Sequence, residues 1–306
     1  RTYSLKSIPF LGNYTVTLSK DNDPLNGLST YDLIKIEQYL LGQVTLDSPY
    51  KLIAADANNS RSISTVDIQE LRRLILGVYS ELPNNTSWRF IPLDYVFPNP
   101  LNPFTAILPE PVQLQSVDDT VHFESIKVGD VTCSATPTGQ LPQRDILNPG
   151  KKFCLRVGTK TFGAGASLVV PVTAGSSGAL LGYQFDLKIA APLQLEGVIP
   201  GPGQTTDNFG VFSAENRLSC SWSTGIPVQV QIGDTLFFVK LRAAGWATLE
   251  TSLSLKQNRI FAEAYTAQGE YQPLALCFSD TKLPGDPGSE LLLIIQPNPV
   301  AERAWT

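Results

Sequence analysis

Two segments near the start of the chain carry apolar residues at helical spacing. Three apolar positions in each segment stand at i, i+3 and i+7: Leu33, Ile36 and Leu40 in the first, and Ile68, Leu71 and Ile75 in the second. That spacing places the three side chains on one face of a helix. The second segment repeats the first 35 residues later, since Asp32 superimposes on Asp67 and Gly42 on Gly77. Because glycine often follows a helix end, the pattern predicts two short amphipathic helices.

Residues 150–280 alternate between apolar and polar positions. Tyr183, Phe185 and Leu187 alternate with polar residues, and Leu218, Cys220 and Trp222 alternate with serines. A period of two over several segments, interrupted by glycine and proline, is typical of antiparallel strands in two packed sheets. The chain is therefore predicted to be mainly β with a small α part, in which an antiparallel β-sandwich follows a two-helix module.

The chain between the helices and the sandwich is rich in proline. Seven prolines lie between Leu82 and Pro111, too many for a helix or a central strand. The aromatic residues of this strap indicate that it packs against other parts of the protein, and two strands, 112–117 and 121–131, are predicted after it. The predicted domains are 1–20, which resembles the last strand of a preceding domain, then 21–80 for the helices, 81–149 for the strap and the short strands after it, 150–280 for the sandwich and 281–306 for a linker.

A carboxylate-rich loop precedes the second helix, and we name it loop two. Its oxygen-bearing residues are Asp56, Asn58, Ser60, Ser62 through its carbonyl, and Asp67, at positions 1, 3, 5, 7 and 12 of an EF-hand-like frame. Calcium prefers six to eight such hard oxygens. Arg61 stands at position 6, where glycine usually makes the turn. The pattern predicts a calcium site, and the alternative is an acidic turn that caps the helix without metal.

The loop before the first helix fits the same frame less regularly. Asp21, Asp23 and Asp32 match positions 1, 3 and 12, but Leu25 stands at position 5. Asn26 supplies the missing oxygen if Pro24 redirects the chain. This loop is the second candidate calcium site, again with a metal-free capping turn as the alternative.

Composition excludes several classes of function. The 306 residues carry a net charge of -5 and a single histidine, so no basic surface for nucleic acid is expected and a zinc site lacks ligands. No apolar run approaches the roughly 20 residues of a membrane-spanning helix. The four cysteines, which fit buried thiols and disulfides equally, are Cys133, Cys154, Cys220 and Cys277.

The helical repeat resembles a dockerin, the calcium-binding docking module of extracellular assemblies. Paired calcium loops followed by helices ending in Leu-Gly carry the resemblance. So do Asp-Pro-Leu-Asn-Gly-Leu-Ser-Thr at 23–30 and Ile-Lys-Val-Gly-Asp-Val at 126–131, which resemble dockerin-containing surface proteins of Bacteroidetes. The resemblance implies calcium as cofactor. It also implies that the partner is contacted by Thr30, Tyr31, Thr65 and Val66.

The sandwich region resembles a cohesin, the usual partner of dockerins. Gly-Tyr-Gln-Phe at 182–185 and Leu-Ser-Cys-Ser-Trp at 218–222 are among the supporting stretches, and the resemblance implies a cohesin-like jelly roll. A generic immunoglobulin-like or carbohydrate-binding sandwich is the alternative. Gln-Pro-Asn-Pro at 296–299 resembles the start of a sorting domain of the type IX secretion route, and an ordinary proline-rich tail is its alternative.

These observations favour an extracellular assembly protein. The sequence has no P-loop, G-x-S-x-G or H-E-x-x-H motif, so we expect no enzyme. A dockerin-like plug and a cohesin-like socket on one chain predict calcium-dependent head-to-tail association of copies, as a filament or surface-layer subunit at the cell surface. The alternative is the C-terminal region of an adhesin whose sandwich binds glycan or another protein.

Overall fold

The computed structural model describes residues 14–114, 120–136 and 152–279, and the backbone of Leu292 and Leu293. These residues form two compact units. The first holds residues 14–74, 79–114 and 120–136, and the second holds 75–78 and everything described from residue 152 onward. The predicted linker and sorting segment at 281–306 lie outside the described residues except for Leu292 and Leu293, and the domain boundaries stay a prediction.

Three helices precede the strap: α1 (Thr30–Leu40), α2 (Pro49–Ala55) and α3 (Thr65–Leu76). Helices α1 and α3 match the predicted pair. The predicted apolar face of α3 is buried, and that of α1 is buried at Leu33 and Ile36, whereas Leu40 at the end of α1 is 38% exposed. Helix α2 was not predicted because seven residues are too few to show a helical period. Its start is nevertheless encoded, since Ser48 caps it and Pro49 occupies its first turn.

Four short strands complete the first unit: β1 (Thr15–Thr17), β2 (Trp88–Pro92), β3 (Pro111–Gln113) and β4 (Phe123–Lys127). Strand β1 pairs antiparallel with β3, and β2 pairs antiparallel with β4. Strand β4 lies within the predicted strand 121–131, and β3 begins one residue before the predicted strand 112–117; both are shorter than predicted. The strap itself contains β2 and one turn of 3-10 helix at Pro103–Thr105. Its Phe97 is buried and meets the Tyr50 ring of α2 edge-on at 5.4 Å.

The second unit is a β-sandwich, which confirms the predicted mainly β fold. Its elements are β5 (Phe153–Val157), β6 (Thr161–Phe162), β7 (Ser167–Ala174), β8 (Gly178–Ile189), β9 (Leu193–Pro200), β10 (Phe209–Phe212), β11 (Arg217–Val230), β12 (Thr235–Ala243), β13 (Ala247–Thr248), α4 (Leu249–Ser252), β14 (Leu253–Lys256), β15 (Glu263–Thr266), β16 (Tyr271–Phe278) and β17 (Leu292–Leu293). Two further 3-10 turns lie at Thr206–Asn208 and Ser213–Glu215.

The strands of the sandwich run in the order β10-β11-β8-β15-β16-β5-β7-β12-β9. Strand β14 also pairs with β8, β17 pairs with β7, and β6 pairs with β13. All these pairs are antiparallel except β5 with β16. The first part of β16 pairs with β15 and its second part with β5, so this one strand joins the two sheets.

Aromatic side chains from several strands fill the core between the sheets. Phe185 of β8 stacks on Phe237 of β12 at 5.6 Å, and Phe209 contacts Phe237 at 5.4 Å. The predicted alternation is confirmed on this inner face, because Tyr183, Phe185, Leu187, Leu218, Cys220 and Trp222 all lie in the core.

The opposite face of β8 is polar and is also buried. Asp186 is 2% exposed and accepts hydrogen bonds from Arg259 Nε at 2.9 Å and Nη2 at 3.0 Å. Arg217 Nη1 lies 3.4 Å from the same carboxylate. The pattern of alternation indicated only that this face is polar, and the two arginines explain how a carboxylate is buried there.

One disulfide, Cys154 to Cys277, joins the parallel strands β5 and β16, while Cys133 and Cys220 are thiols outside this disulfide. The structure therefore contains both a disulfide and thiols, which are the two alternatives that the sequence left open. Within the described part of the chain, no helix is both long and apolar enough to cross a membrane.

The disulfide closes a loop of 123 residues, so its removal should destabilise the sandwich. We expect the double variant Cys154→Ala, Cys277→Ala to lose about 2–5 kcal/mol of unfolding free energy, because the unfolded chain gains freedom. Calorimetry with and without reductant measures this loss. Reductant should destabilise the wild type and leave the double variant unchanged; equal sensitivity of both would contradict the assignment.

Candidate metal centres

Loop two lies between α2 and α3 and brings its predicted ligands together. Asp56 and Asp67 are fully buried. The Asp56 carboxylate accepts from Ser60 N at 2.8 Å and from Arg61 N at 2.8 Å, one bond on each oxygen. The Asp67 carboxylate accepts from Asn58 N at 3.1 Å, so the end of the frame folds back onto its beginning.

The backbone of loop two accommodates Arg61 at position 6. Its φ is +65°, in the left-handed region where glycine is usual, and Asn59 has φ +55°. The chain therefore makes the turn that position 6 requires although the residue is not glycine. Ser60 Oγ donates to the carbonyl of Ser62 at 3.2 Å, which places the oxygens of positions 5 and 7 beside each other.

The carboxylate of Asp32 has a different partner from the one predicted. It is fully buried in the first turn of α1, and its Oδ1 accepts from Thr132 N at 3.1 Å and Thr132 Oγ1 at 2.8 Å. Asp130 lies beside it and accepts from Ser134 N at 3.0 Å and from Ala135 N at 2.7 Å. A segment about one hundred residues away in sequence, 130–136, thus completes this centre, which we name the split loop.

The split loop and loop two share one hydrogen-bonding pattern. In both, the residue four positions after the first carboxylate donates its backbone N–H to Oδ1, and the next residue donates to Oδ2. In both, a serine three residues before the second carboxylate caps that carboxylate's helix. Each of these residues of loop two has a counterpart in the split loop: Asp56 corresponds to Asp130, Asn58 to Thr132, Ser60 to Ser134, Arg61 to Ala135, Ser64 to Ser29 and Asp67 to Asp32. Two separate stretches of sequence therefore build equivalent centres.

The other predicted ligands of the first loop lie around the split loop rather than in the predicted frame. Asp21 accepts from Ser87 N at 2.7 Å, and Asp23 is exposed. Asn26 binds both backbone groups of Thr136, donating to its carbonyl at 2.7 Å and accepting from its N–H at 3.0 Å. Neither Asp21 nor Asp23 shares a hydrogen-bond partner with Asp32 in the described structure, whereas Asp130 shares Thr132 with it.

Glycine at position 27 allows the first loop to contact the split loop. Its φ is +77°, and a Cβ added there would lie 2.5 Å from Ala135 N and 2.7 Å from Asp130 Oδ2. Ser134 Oγ also donates to the Gly27 carbonyl at 2.8 Å. The motif at 126–131 was the sequence signal for Asp130, but nothing in the sequence linked it to Asp32.

Burial makes these carboxylates costly to ionise without a cation. Burial, and then the charge of Asp130, raises the pKa of Asp32 to about 7. Burial also raises the pKa of Asp56, with a smaller contribution from Asp67. The nearby ammonium of Lys127 is 4% exposed, and burial lowers its pKa to about 8 against the pull of Asp130 and Asp32. A cation placed between the paired carboxylates would favour their ionised forms.

The chemistry of the donors suits a hard cation. The described residues form no group of three or more His, Cys, Asp and Glu that could hold a metal. Each centre instead pairs two carboxylates with neutral hydroxyl, amide or carbonyl oxygens. Calcium uses such mixed oxygen sets. Asp56 Oδ2 and Asp67 Oδ1 each accept one hydrogen bond and retain a second lone pair. Each oxygen of Asp32, in contrast, accepts two hydrogen bonds, Oδ2 from Ser29 and Oδ1 from Thr132. The residues present therefore fit calcium; its binding and these ligand sets stay predictions.

The residues predicted to contact a partner differ in exposure. Thr30 is fully buried, whereas Val66 is 47% exposed at the start of α3. Thr65 is exposed and Tyr31 is half-buried, with the ammonium of Lys35 5.0 Å from its ring centre. Of the four predicted contact residues, only Thr65 and Val66 at the start of α3 are exposed.

Comparisons with known proteins give distant structural similarities. No protein-family model and no curated protein matches the chain. A non-cellulosomal cohesin from the archaeon Archaeoglobus fulgidus is 21% identical, covers 41% of this chain and 86% of its own, and has a TM-score of 0.29. CaCohA2 from Clostridium acetobutylicum is 17% identical, covers 42% of this chain and 86% of its own, and has a TM-score of 0.33. The third ScaB cohesin of R. flavefaciens, in complex with a group 1 dockerin, is 15% identical, covers 44% of this chain and 99% of its own, and has a TM-score of 0.31. Similarities this low establish neither a family nor a function.

Substitution of Asp130 should destabilise the metal-free protein, and substitution of Asp23 should not. Asp130→Ala leaves the backbone N–H groups of Ser134 and Ala135 without their acceptor, which outweighs the removal of its repulsion with Asp32. We expect a loss of about 2 kcal/mol in unfolding free energy, against under about 0.5 kcal/mol for the exposed Asp23→Asn. Urea unfolding in excess chelator measures both. Equal losses would favour the contiguous loop over the split loop.

Proposed function

We propose that this chain is an extracellular calcium-binding protein that associates with other proteins and has no catalytic role. One observation carries the proposal: two centres with the same hydrogen-bonding pattern each bury a pair of carboxylates at the start of a helix. Asp56, Asn58, Ser60, Ser62 and Asp67 would hold one calcium ion. Asp32, Asp130, Thr132 and Ser134 would hold the other.

Calcium would neutralise the carboxylates and join segments of the chain. At loop two it would fix the connection between α2 and α3. At the split loop it would hold residues 130–136 against the start of α1, which would otherwise depend on hydrogen bonds to Asp32 and Asn26. Binding to the folded form alone would stabilise the first unit by mass action.

Exposed apolar side chains on both units support association between copies of the chain. Val66 of the first unit is 47% exposed, and on the second unit Ile226 is 59%, Val228 43% and Ile232 49% exposed. Because these two patches differ, their contact would be heterologous and would generate rings or filaments. The dockerin-like and cohesin-like sequence features support the same head-to-tail arrangement.

The disulfide supports an extracellular location. Disulfides such as that between Cys154 and Cys277 persist in oxidising compartments, and calcium sites of modest affinity fill readily outside the cell.

A second candidate function is glycan binding by the sandwich. Trp246 supports it, because this residue is 79% exposed. An open aromatic ring can stack on a sugar, as in the alternative of an adhesin.

Calorimetric titration with calcium tests the proposed ligands. We expect the wild type to bind one ion at each centre, Asp67→Asn to lose the ion of loop two, and Asp130→Asn to lose the ion of the split loop, because each removes a carboxylate charge from its pair. Asp23→Asn is the matched control and should keep both ions. Loss of an ion in the control, with none lost in Asp130→Asn, would restore the contiguous first loop as the site.

Light scattering in calcium and in excess chelator tests self-association. We expect particles well above the 33.3 kDa of one chain in calcium and single chains in chelator. Val66→Glu should weaken association, because it places a charge in the contact, whereas Val96→Glu on the strap, at a side chain 83% exposed, is the control. A single chain in both buffers would contradict self-association, and a glycan array with Trp246→Ala would then test the second candidate.

A further inference from the structure

Arg61 connects loop two to the strap. Its backbone N–H donates to Asp56 Oδ2 at 2.8 Å, inside the candidate calcium centre. Its guanidinium Nη2 donates to two strap carbonyls, Phe104 O at 2.5 Å and Ala106 O at 3.0 Å. One residue therefore holds the first carboxylate of the centre with its backbone and the strap with its side chain.

The backbone conformation of Arg61 indicates that its side chain has a role. A φ of +65° is unfavourable for a residue with a Cβ, and glycine would adopt it freely. A residue held in such a conformation needs compensation from its surroundings. The two hydrogen bonds from the guanidinium to the strap provide it, and glycine could not make them.

A second guanidinium tethers the strap close by. Arg89 Nε lies 2.6 Å from Glu110 Oε1 at the end of the strap, and Arg89 is 9% exposed. An open pocket of about 160 Å³ separates loop two from the strap, and its lining includes Asp56, Asn59, Arg61, Arg89, Phe104 and Glu110. At this place the strap is held across a gap by side chains rather than packed directly on the loop.

Beyond Phe97 the strap is fixed at the buried Pro103 and at β3, which pairs with β1, while several side chains between and before these points are exposed. Leu101 is 83% exposed and Ile107 is 87% exposed, so neither contributes buried area. Segments with few buried apolar contacts open locally at low free energy. Between Pro103 and β3, the tethers from Arg61 and Arg89 therefore contribute much of what holds residues 104–110 against the first unit.

We propose that calcium at loop two controls the docking of strap residues 104–110 through Arg61. Calcium fixes the turn of loop two, so the Arg61 guanidinium stays aimed at the carbonyls of Phe104 and Ala106. Without calcium the turn loosens and this stretch of the strap is released. The inference rests on the proposed calcium site, and it adds a calcium-dependent change in an exposed surface of the first unit.

Limited chymotrypsin digestion of the full chain tests the coupling, with cleavage between Phe104 and Thr105 followed by mass spectrometry. In calcium we expect Arg61→Gly to be cut about tenfold faster than the wild type, because two hydrogen bonds from a charged group are lost while the left-handed turn is retained. Arg61→Lys, which keeps one cation, should be intermediate. Asn59→Gly is the matched control: it changes the other left-handed residue of the loop, which forms no hydrogen bond with the strap in the described structure, and it should be cut like the wild type.

Calcium calorimetry on the same samples separates the possible failures. Wild-type cleavage should be about tenfold faster in chelator than in calcium, and Arg61→Gly should lose most of that difference. If calcium binds but the wild type is cut equally fast in both buffers, the coupling is wrong and the proposed calcium site stands. If Arg61→Gly is cut as slowly as the wild type in calcium, the tether is wrong. If no calcium binds, the proposed function itself fails.

Discussion

The first unit depends on the burial of like charges in pairs. Asp32 with Asp130, and Asp56 with Asp67, have their carboxylates out of water near the beginning of α1 and α3, where backbone N–H groups and serine and threonine hydroxyls donate hydrogen bonds to them. Bringing two carboxylates together in this way is unfavourable unless one takes a proton or a cation arrives. The positions of the three helices and of residues 130–136 all follow from how that requirement is met, because the same side chains hold these segments in place.

The second unit is stabilised differently. Its core is apolar and aromatic, one strand joins its two sheets, and a disulfide fixes that strand to β5. Its buried carboxylate, Asp186, already has two arginine partners. The buried charge of the sandwich is therefore balanced by side chains of the same unit, whereas in the first unit carboxylates are buried beside one another.

Sequence reasoning succeeded where the relevant residues are close together in the chain. The helical repeat predicted α1 and α3, and alternation predicted the inner face of the sandwich. The residues of loop two lie within twelve positions, so the sequence could predict that they come together; calcium binding there stays a prediction. Helix α2 was missed because its length hides a period. The split loop was missed for a different reason: the contiguous frame was assumed to end at Asp32, so Asp21 and Asp23 were chosen, and no local pattern relates Asp32 to Asp130. The burial of Thr30 could not be predicted either, because it results from tertiary packing and no local pattern indicates it.

The two centres differ in when they can exist during synthesis. All of loop two emerges from the ribosome within a few residues, and closing so short a loop costs little conformational entropy. The split loop has to wait until residues 130–136 have been made, about one hundred residues after Asp32. A nascent chain therefore passes through a stage in which Asp32 is present without Asp130, and α1 acquires its final neighbours only late. The sequence separation of the paired acidic residues therefore determines which of the two centres can form first.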